Sequence, residues 1–133
     1  MWNIPRILVN KILAHAQREF PRECVGVLSG SARRVTGWHP LSNVAKEDRR
    51  FLADPTGQIR LFEQLRQEGV EVVAIYHSHP FGPSVPSALD LEEAYHPDIL
   101  NLIVSLDTAG RLDMNGYLMR NGVAEIQEVT VSD

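Results

Sequence analysis

Apolar positions along the chain follow two rhythms. Between Ile7 and Phe20, the residues Leu8, Ile12, Ala16 and Phe20 recur every four positions, and this spacing predicts a helix with one buried stripe. Pro5 suits its first turn and Pro21 enforces its end. Cys24–Ser29 is a short Val-rich run that predicts a strand. Gly30-Ser31 predicts a turn, and Val35–His39 the returning hairpin partner. Pro40–Arg49 reads as a polar loop and Arg50–Ala53 as a brief strand. Asp54-Pro55 then starts a second helix, with Asp at the N-cap and Pro at the first helical position. Ile59, Phe62 and Leu65, with Leu61, form its expected buried stripe, and Gly69 its left-handed C-terminal cap.

The second rhythm is near-continuous. Glu71–Tyr76 is an apolar run directly after a helix, which predicts a central strand buried on both faces. Pro80–Pro86 is a Pro/Gly/Ser-rich loop, expected to be rigid, and Ser87–Tyr95 a short helix ended by His96-Pro97. Ile99–Leu106 is a further strand, followed by a turn at Asp107–Gly110. Leu112–Met119 and Val123–Val131 are strands joined by Asn121-Gly122, a tight-hairpin pair. This order predicts a single α/β domain over residues 1–133, with a mixed, largely antiparallel sheet flanked by helices.

Composition narrows the picture. The 133 residues are 44% hydrophobic, enough for a packed core and too many for a disordered chain. The net charge of −4 leaves no basic excess for nucleic acid or a membrane surface. Arg33–Arg34 and Arg49–Arg50 read as solvated pairs. A single cysteine, Cys24, excludes an intrachain disulfide and a multi-cysteine zinc site, and fits a reducing compartment. No stretch reaches the roughly 18 apolar residues of a membrane helix, and Met1–Gln17 has neither the uninterrupted apolar run nor the cleavage site of a signal peptide. The expectation is a soluble, cytoplasmic protein with no nucleic-acid or membrane partner; a homodimer stays open.

The chemistry concentrates in His77–Asp90, H-S-H-P-F-G-P-S-V-P-S-A-L-D. His77 and His79 stand two apart at the end of the central strand and therefore project from one face. Two imidazoles so placed can meet one zinc ion at about 2.0–2.1 Å, at the strand end where open α/β sheets bind ligands. With five histidines in the chain, an H-x-H pair arises by chance in roughly one shuffled sequence in five. The pair alone therefore leaves open a strand-capping His beside a surface one. Asp90 offers a third ligand type. Ser87-x-x-Asp90 also reads as a capping box, and the two readings are compatible, because an acid held in a first helical turn can point out toward a metal. Two His and one carboxylate leave a fourth tetrahedral position for water, the open arrangement of catalytic zinc.

Hydrolysis at such a site needs a base. Glu23, beside Cys24 at the first strand's start, is the candidate, although an acid at a strand entrance is more often a surface residue. Glu19, Glu71, Glu92 and Glu93 are equally eligible by composition but fall on helix faces or loops, where exposure explains them. Ser78 should point to the opposite face from the two His, and Ser84 to loop surface. Cys24 reads as a small buried hydrophobe. His15, His39 and His96 read as solvent or packing residues, as do Trp2 and Trp38 for packing, with Trp38 able to face a partner.

His77-x-His79-Pro80, six residues, Ser87, two residues and Asp90 together resemble the signature of the JAMM metalloproteases, also called MPN-plus or Mov34. Chance co-occurrence of these residues at these offsets is on the order of one in ten thousand. Pro21-x-Glu23-Cys24-x-Gly26-x-Leu28-x-Gly30 resembles the family's N-terminal block, and Leu41-Ser42-Asn43 with Phe51-x-x-Asp54-Pro55 its middle block. The resemblance extends over nearly the whole chain and is to the compact prokaryotic type, similar to desampylases and sulfur-carrier-processing peptidases. It implies a curved-sheet fold similar to cytidine deaminases, without their paired cysteines and H-x-E. It implies one zinc on His77, His79 and Asp90, Glu23 as general base and then acid, and Ser87 steadying the tetrahedral intermediate. It implies as substrate a ubiquitin-like or sulfur-carrier protein with a Gly-Gly tail. The segment after Asp90 is too short for the second insertion by which eukaryotic deubiquitinases clamp ubiquitin, so a small carrier is expected rather than polyubiquitin. The alternative is a non-catalytic scaffold or binding module for a ubiquitin-like partner; such scaffolds lose ligands or the Glu, and all five positions are kept here.

Overall fold

The computed structural model describes residues 1–133. The elements are β1 (Trp2–Pro5), α1 (Arg6–Glu19), β2 (Val25–Ser31), β3 (Arg34–Leu41), α2 (Pro55–Gln67), β4 (Glu71–His79), α3 (Ala88–Glu92), β5 (Leu100–Ser105), β6 (Asp113–Arg120), β7 (Val123–Gln127) and β8 (Val129–Ser132). The strands make one sheet in the order β7-β6-β5-β4-β2-β3-β1-β8. Four of its pairings are antiparallel and three, β1 with β3, β1 with β8 and β4 with β5, are parallel. The mixed, largely antiparallel sheet expected from the chain is the one found. No helix is long and apolar enough to cross a membrane.

The strand order forces the sheet to curl. β7 and β8 lie at its opposite ends, yet only Glu128 separates them in the chain. The ends must therefore meet at that residue, where the Trp2 amide donates to the Glu128 carbonyl at 3.0 Å. The expected single strand Val123–Val131 is broken here because each half pairs with a different end of the sheet. β1, which carries no periodic signal in its four residues, is recruited between β3 and β8 by pairing alone.

The curled sheet has two faces, and they do different work. The inner face closes on α1, whose Leu8, Val9, Ile12 and Ala16 are buried against Leu28, Tyr76, Leu102 and Val104. Ile12 has no exposed surface; truncating such a residue to Ala costs about 2–5 kcal/mol. Gly26 is required there, because a Cβ at that position would stand 2.3 Å from the Tyr76 ring.

The outer face carries Val25, Val27, Ile75, His77, His79 and Ile103, with α2 and α3 beside it. α2 packs on β4 and buries only Leu65 fully; Ile59 is 69% exposed. The predicted four-residue buried stripe is thus too generous, since α2 rests on one strand whereas α1 is enclosed by the curl. Asp54 does occupy the N-cap position, but its side chain makes no capping bond. Gly69 has the left-handed φ (+72°) expected of the C-terminal cap.

Two local expectations change. The β2–β3 turn falls at Ala32-Arg33, both with positive φ, rather than at Gly30-Ser31. Gly30 instead marks a bulge, where the register shifts and the Arg34 carbonyl occupies the space of a Cβ. Arg50–Ala53 forms no strand, only a single bridge from Ala53 to Asn43. At Asn121-Gly122 both residues have positive φ, as the tight hairpin demands.

Candidate metal centre

The outer face of β4 ends in His77 and His79, both buried. β2 runs antiparallel beside it with Val25 opposite His77. Continued by two residues, that register sets Glu23 opposite His79 on the same face. This explains how an acid 54 positions before His77 in the chain reaches it. Asp90 arrives from the first turn of α3, where the capping box is complete: the Ser87 hydroxyl accepts from the Asp90 amide at 3.0 Å, and Asp90 Oδ2 accepts from the Ser87 amide at 2.9 Å. Capping and centre-facing are therefore properties of one carboxylate oxygen.

Three ligand atoms converge. His77 Nε2 and His79 Nε2 are 3.2 Å apart and lie 3.2 and 3.1 Å from Asp90 Oδ2. Ligands at 2.0–2.1 Å from a tetrahedral zinc stand about 3.3–3.4 Å from one another, so this triangle fits one zinc with little movement. Proton placement points the same way. His79 Nδ1 donates to the Pro83 carbonyl at 2.9 Å, which leaves Nε2 of the neutral ring as a bare lone pair. A bare nitrogen 3.1 Å from a carboxylate oxygen is repulsive unless a cation, proton or metal, stands between them. Glu23 completes a group of four whose ligand atoms all lie within 4.8 Å of one another.

The electrostatics agree. Burial pushes Asp90 up, but hydrogen bonds from His77 and His79 outweigh it and hold the carboxyl well below the usual range. Burial lowers His77. His79 is raised: burial opposes this, and its bonds to Asp90 and to the Pro83 carbonyl prevail. Burial drives Glu23 up to about 7, with His79 opposing and the Asp90 charge adding. Glu23 Oε1 is buried and has no hydrogen-bond partner, a costly state outside a functional site.

Two contacts around the centre come from residues outside the named positions of the His77–Asp90 signature. The Phe51 ring stacks on His77 at 4.3 Å between centroids, and the Pro83 carbonyl orients His79. Two hollows flank the centre. One is largely apolar, lined by Val25, Val27, Phe51, Ile75 and Leu89 beside Asp90. The other is lined by Glu23, His79 and Ser87 with Phe81 and Val85. Ser87 thus faces the hollow that Glu23 and His79 line, and its hydroxyl hydrogen is not used by the cap.

The remaining residues sort cleanly. Ser78 faces inward, where its hydroxyl accepts from the Cys24 amide at 2.8 Å. Cys24 is buried, and burial pushes its thiol up to about 11. Ser84, expected at loop surface, is fully buried. Its hydroxyl donates to Asp113 and accepts from Asn115, and its carbonyl accepts from Tyr117 at 2.8 Å, so it pins the 80–87 loop to β6.

Residues 5–115 match the family of prokaryotic homologs of the JAB domain, and the chain belongs to that family. Among its relatives, a probable TtuB-protein conjugate cleaving protease of Thermus thermophilus is 42% identical over 92 residues, 68% of this chain and 62% of that protein. The match thus spans less than two thirds of the Thermus protein. A desampylase of Haloferax volcanii is 42% identical over 105 residues, covering 74% of this chain and 76% of its own length. A CysO-cysteine peptidase of Mycobacterium tuberculosis is 29% identical over 126 residues, 93% of this chain and 86% of that one. In three dimensions, the solution structure of a Desulfitobacterium hafniense protein superposes with a TM-score of 0.90 at 27% identity, covering 100% of this chain and 94% of that one. A JAB1/MPN domain protein from Archaeoglobus fulgidus shares the fold, with a TM-score of 0.65, 24% identity and full coverage of both chains.

Proposed function

We propose that the chain is a zinc-dependent peptidase or isopeptidase that cleaves the bond following the Gly-Gly end of a ubiquitin-like or sulfur-carrier protein. The observation that carries this reading is the convergence of His77, His79 and Asp90 on one point, with the unpartnered Glu23 Oε1 beside them. His77 Nε2, His79 Nε2 and Asp90 Oδ2 hold a single zinc. When bound, the metal supplies Lewis-acid polarisation of the scissile carbonyl and acidifies water toward neutrality. Glu23 is not a ligand. Its free Oε1 takes the proton of the attacking water and delivers it to the departing amine. The Ser87 hydroxyl, held by its cap, donates to the oxygen that gains charge, a contribution of about 3–4 kcal/mol for a well-placed donor. The Phe51 ring, stacked on His77, screens that imidazole from bulk water.

Kinship supports the substrate class, and a Gly-Gly tail, carrying no side chains, lets its backbone come close to the metal. Relatives named for cleaving TtuB conjugates and for CysO-cysteine peptidase activity support a small carrier bearing a C-terminal adduct.

Mass spectrometry of carrier–adduct fusions incubated with enzyme and zinc tests the reading. Release occurs after the second Gly, stops with a chelator, and falls sharply when that Gly is made bulky. Equal cleavage of unrelated unfolded peptides overturns the substrate class. Metal analysis gives one zinc per chain in wild type and none in His77→Ala; undiminished zinc in that variant removes His77 from the ligand set.

A further inference from the structure

Asn43 touches no ligand atom of the centre, yet it joins the parts that carry them. Its Nδ2 donates to the Glu23 carbonyl at 2.8 Å and to the Arg50 carbonyl at 3.0 Å. Its Oδ1 accepts from the Ala45 and Leu52 amides, each at 3.0 Å. An amide side chain has two donor hydrogens and two acceptor lone pairs, so Asn43 is fully used. One end of this tie is the backbone of the proton-transferring residue. The other is the 50–52 segment, which forms no regular strand. That segment carries Phe51, stacked on His77, and Arg50, whose guanidinium pairs with Glu93 at 3.1 Å, three residues beyond Asp90.

The 42–54 loop closes on itself through main-chain bonds from Val44 to Leu52 (2.8 Å) and from Asp54 to Ser42 (2.9 Å). Those bonds shape the loop but do not reach the Arg22–Glu23 segment that leads into β2. The Asn43 side chain does, with Arg22 as a second tie to the Asn43 and Ala45 carbonyls. A short, rigid amide with four bonds sets a distance more tightly than a long guanidinium with an unpartnered Nε.

We propose that Asn43 is a positioning residue: it sets the Glu23 carboxylate relative to the metal ligands by locking the Glu23 backbone to the segment packed on His77 and Glu93. The inference rests on the reaction proposed above. In Asn43→Asp the shape is kept, but an oxygen replaces the donor facing two carbonyls, which pushes Glu23 and Arg50 apart.

Steady-state kinetics of Asn43→Asp on a Gly-Gly fusion should show kcat reduced about 10- to 100-fold, the scale of a displacement near 1 Å. KM should move by no more than about threefold, with zinc content unchanged. Against a Glu23→Gln background the same substitution should cost under about twofold, because its effect passes through Glu23. A fully additive loss in the double variant, or an unchanged kcat in the single one, overturns the proposal. Hydrogen exchange needs no substrate. In Asn43→Ala the Leu52 amide should exchange at least about tenfold faster while amides of β2 and β4 hold their protection. Unchanged Leu52 exchange overturns the tie whatever the substrate proves to be, whereas a wild-type enzyme that cleaves no such conjugate overturns the proposed reaction alone.

Discussion

Two polar clusters, each with imidazole, stand back to back across β4. On the inner face, the Tyr76 hydroxyl accepts from Trp38 Nε1 at 3.0 Å and donates to His15 Nδ1 at 2.7 Å. On the outer face, one residue further along, His77 and His79 point their Nε2 atoms at each other and at Asp90, with Glu23 Oε1 unpartnered beside them. Both clusters are buried, and both mix imidazole with other polar groups. The inner one is saturated, so it contributes stability and asks for nothing more. In the outer one the potential ligand atoms converge on one another, and Glu23 Oε1 has no hydrogen-bond partner. Buried polarity does not distinguish a candidate site from a structural network; converging ligand atoms beside an unpaired buried oxygen do.

That contrast can be broken from either side. The largest effect is expected at Glu23. Glu23→Gln should lower turnover by about 10²–10⁴ while zinc content and melting temperature stay at wild-type values, because the buried oxygen it alters supports nothing else. A variant of near wild-type rate would take Glu23 out of the chemistry. On the inner face the signs reverse. Tyr76→Phe strands His15 Nδ1 and Trp38 Nε1 and should cost about 1–3 kcal/mol in urea unfolding, with zinc binding retained. Loss of zinc without loss of stability would mean the two faces are not separate.

The smallest effect is a pH dependence. Burial holds the pKa of His15 below 6.5, with Glu19 opposing. The folded ring therefore stays neutral at pH values where the unfolded one begins to protonate. Below 6.5 the unfolded chain binds more protons, so stability falls as pH drops through that value and is fully present above it. His15→Phe should flatten part of this slope between about pH 7.5 and about pH 5.5, read from unfolding midpoints. An unaltered slope would place the titration elsewhere.

Much of this was legible in the chain. The same-face spacing of His77 and His79 and the Ser87–Asp90 capping box come directly from strand and helix periodicity, and both stand as expected. Glu23 was legible from the chain as one candidate among five acids, favoured by the family resemblance; its place beside His79 depends on the register of two strands separated by a hairpin, a loop and a helix. β1 and the break at Glu128 were not legible, because four-residue strands acquire their identity from neighbours rather than from pattern. Ser84 was misplaced for a related reason: a polar residue in a Pro/Gly-rich loop signals surface, and its burial is set by Asp113, Asn115 and Tyr117 on a strand far along the chain. Ile59 failed in the opposite direction, since helical periodicity reports which side of α2 is apolar but not how much sheet lies beneath it.

The bond from His79 Nδ1 to the Pro83 carbonyl has a consequence for how this centre can be probed. The acceptor is main chain, so no side-chain replacement at position 83 deletes the group that selects the His79 tautomer. Only an alteration of the backbone path reaches it. Gly82, with φ +102° next to Pro83, is the place where that path is most exposed to change. An L-residue there strains the turn that carries the Pro83 carbonyl, so a substitution at a residue with no side chain would reappear as altered imidazole protonation at His79, three positions earlier.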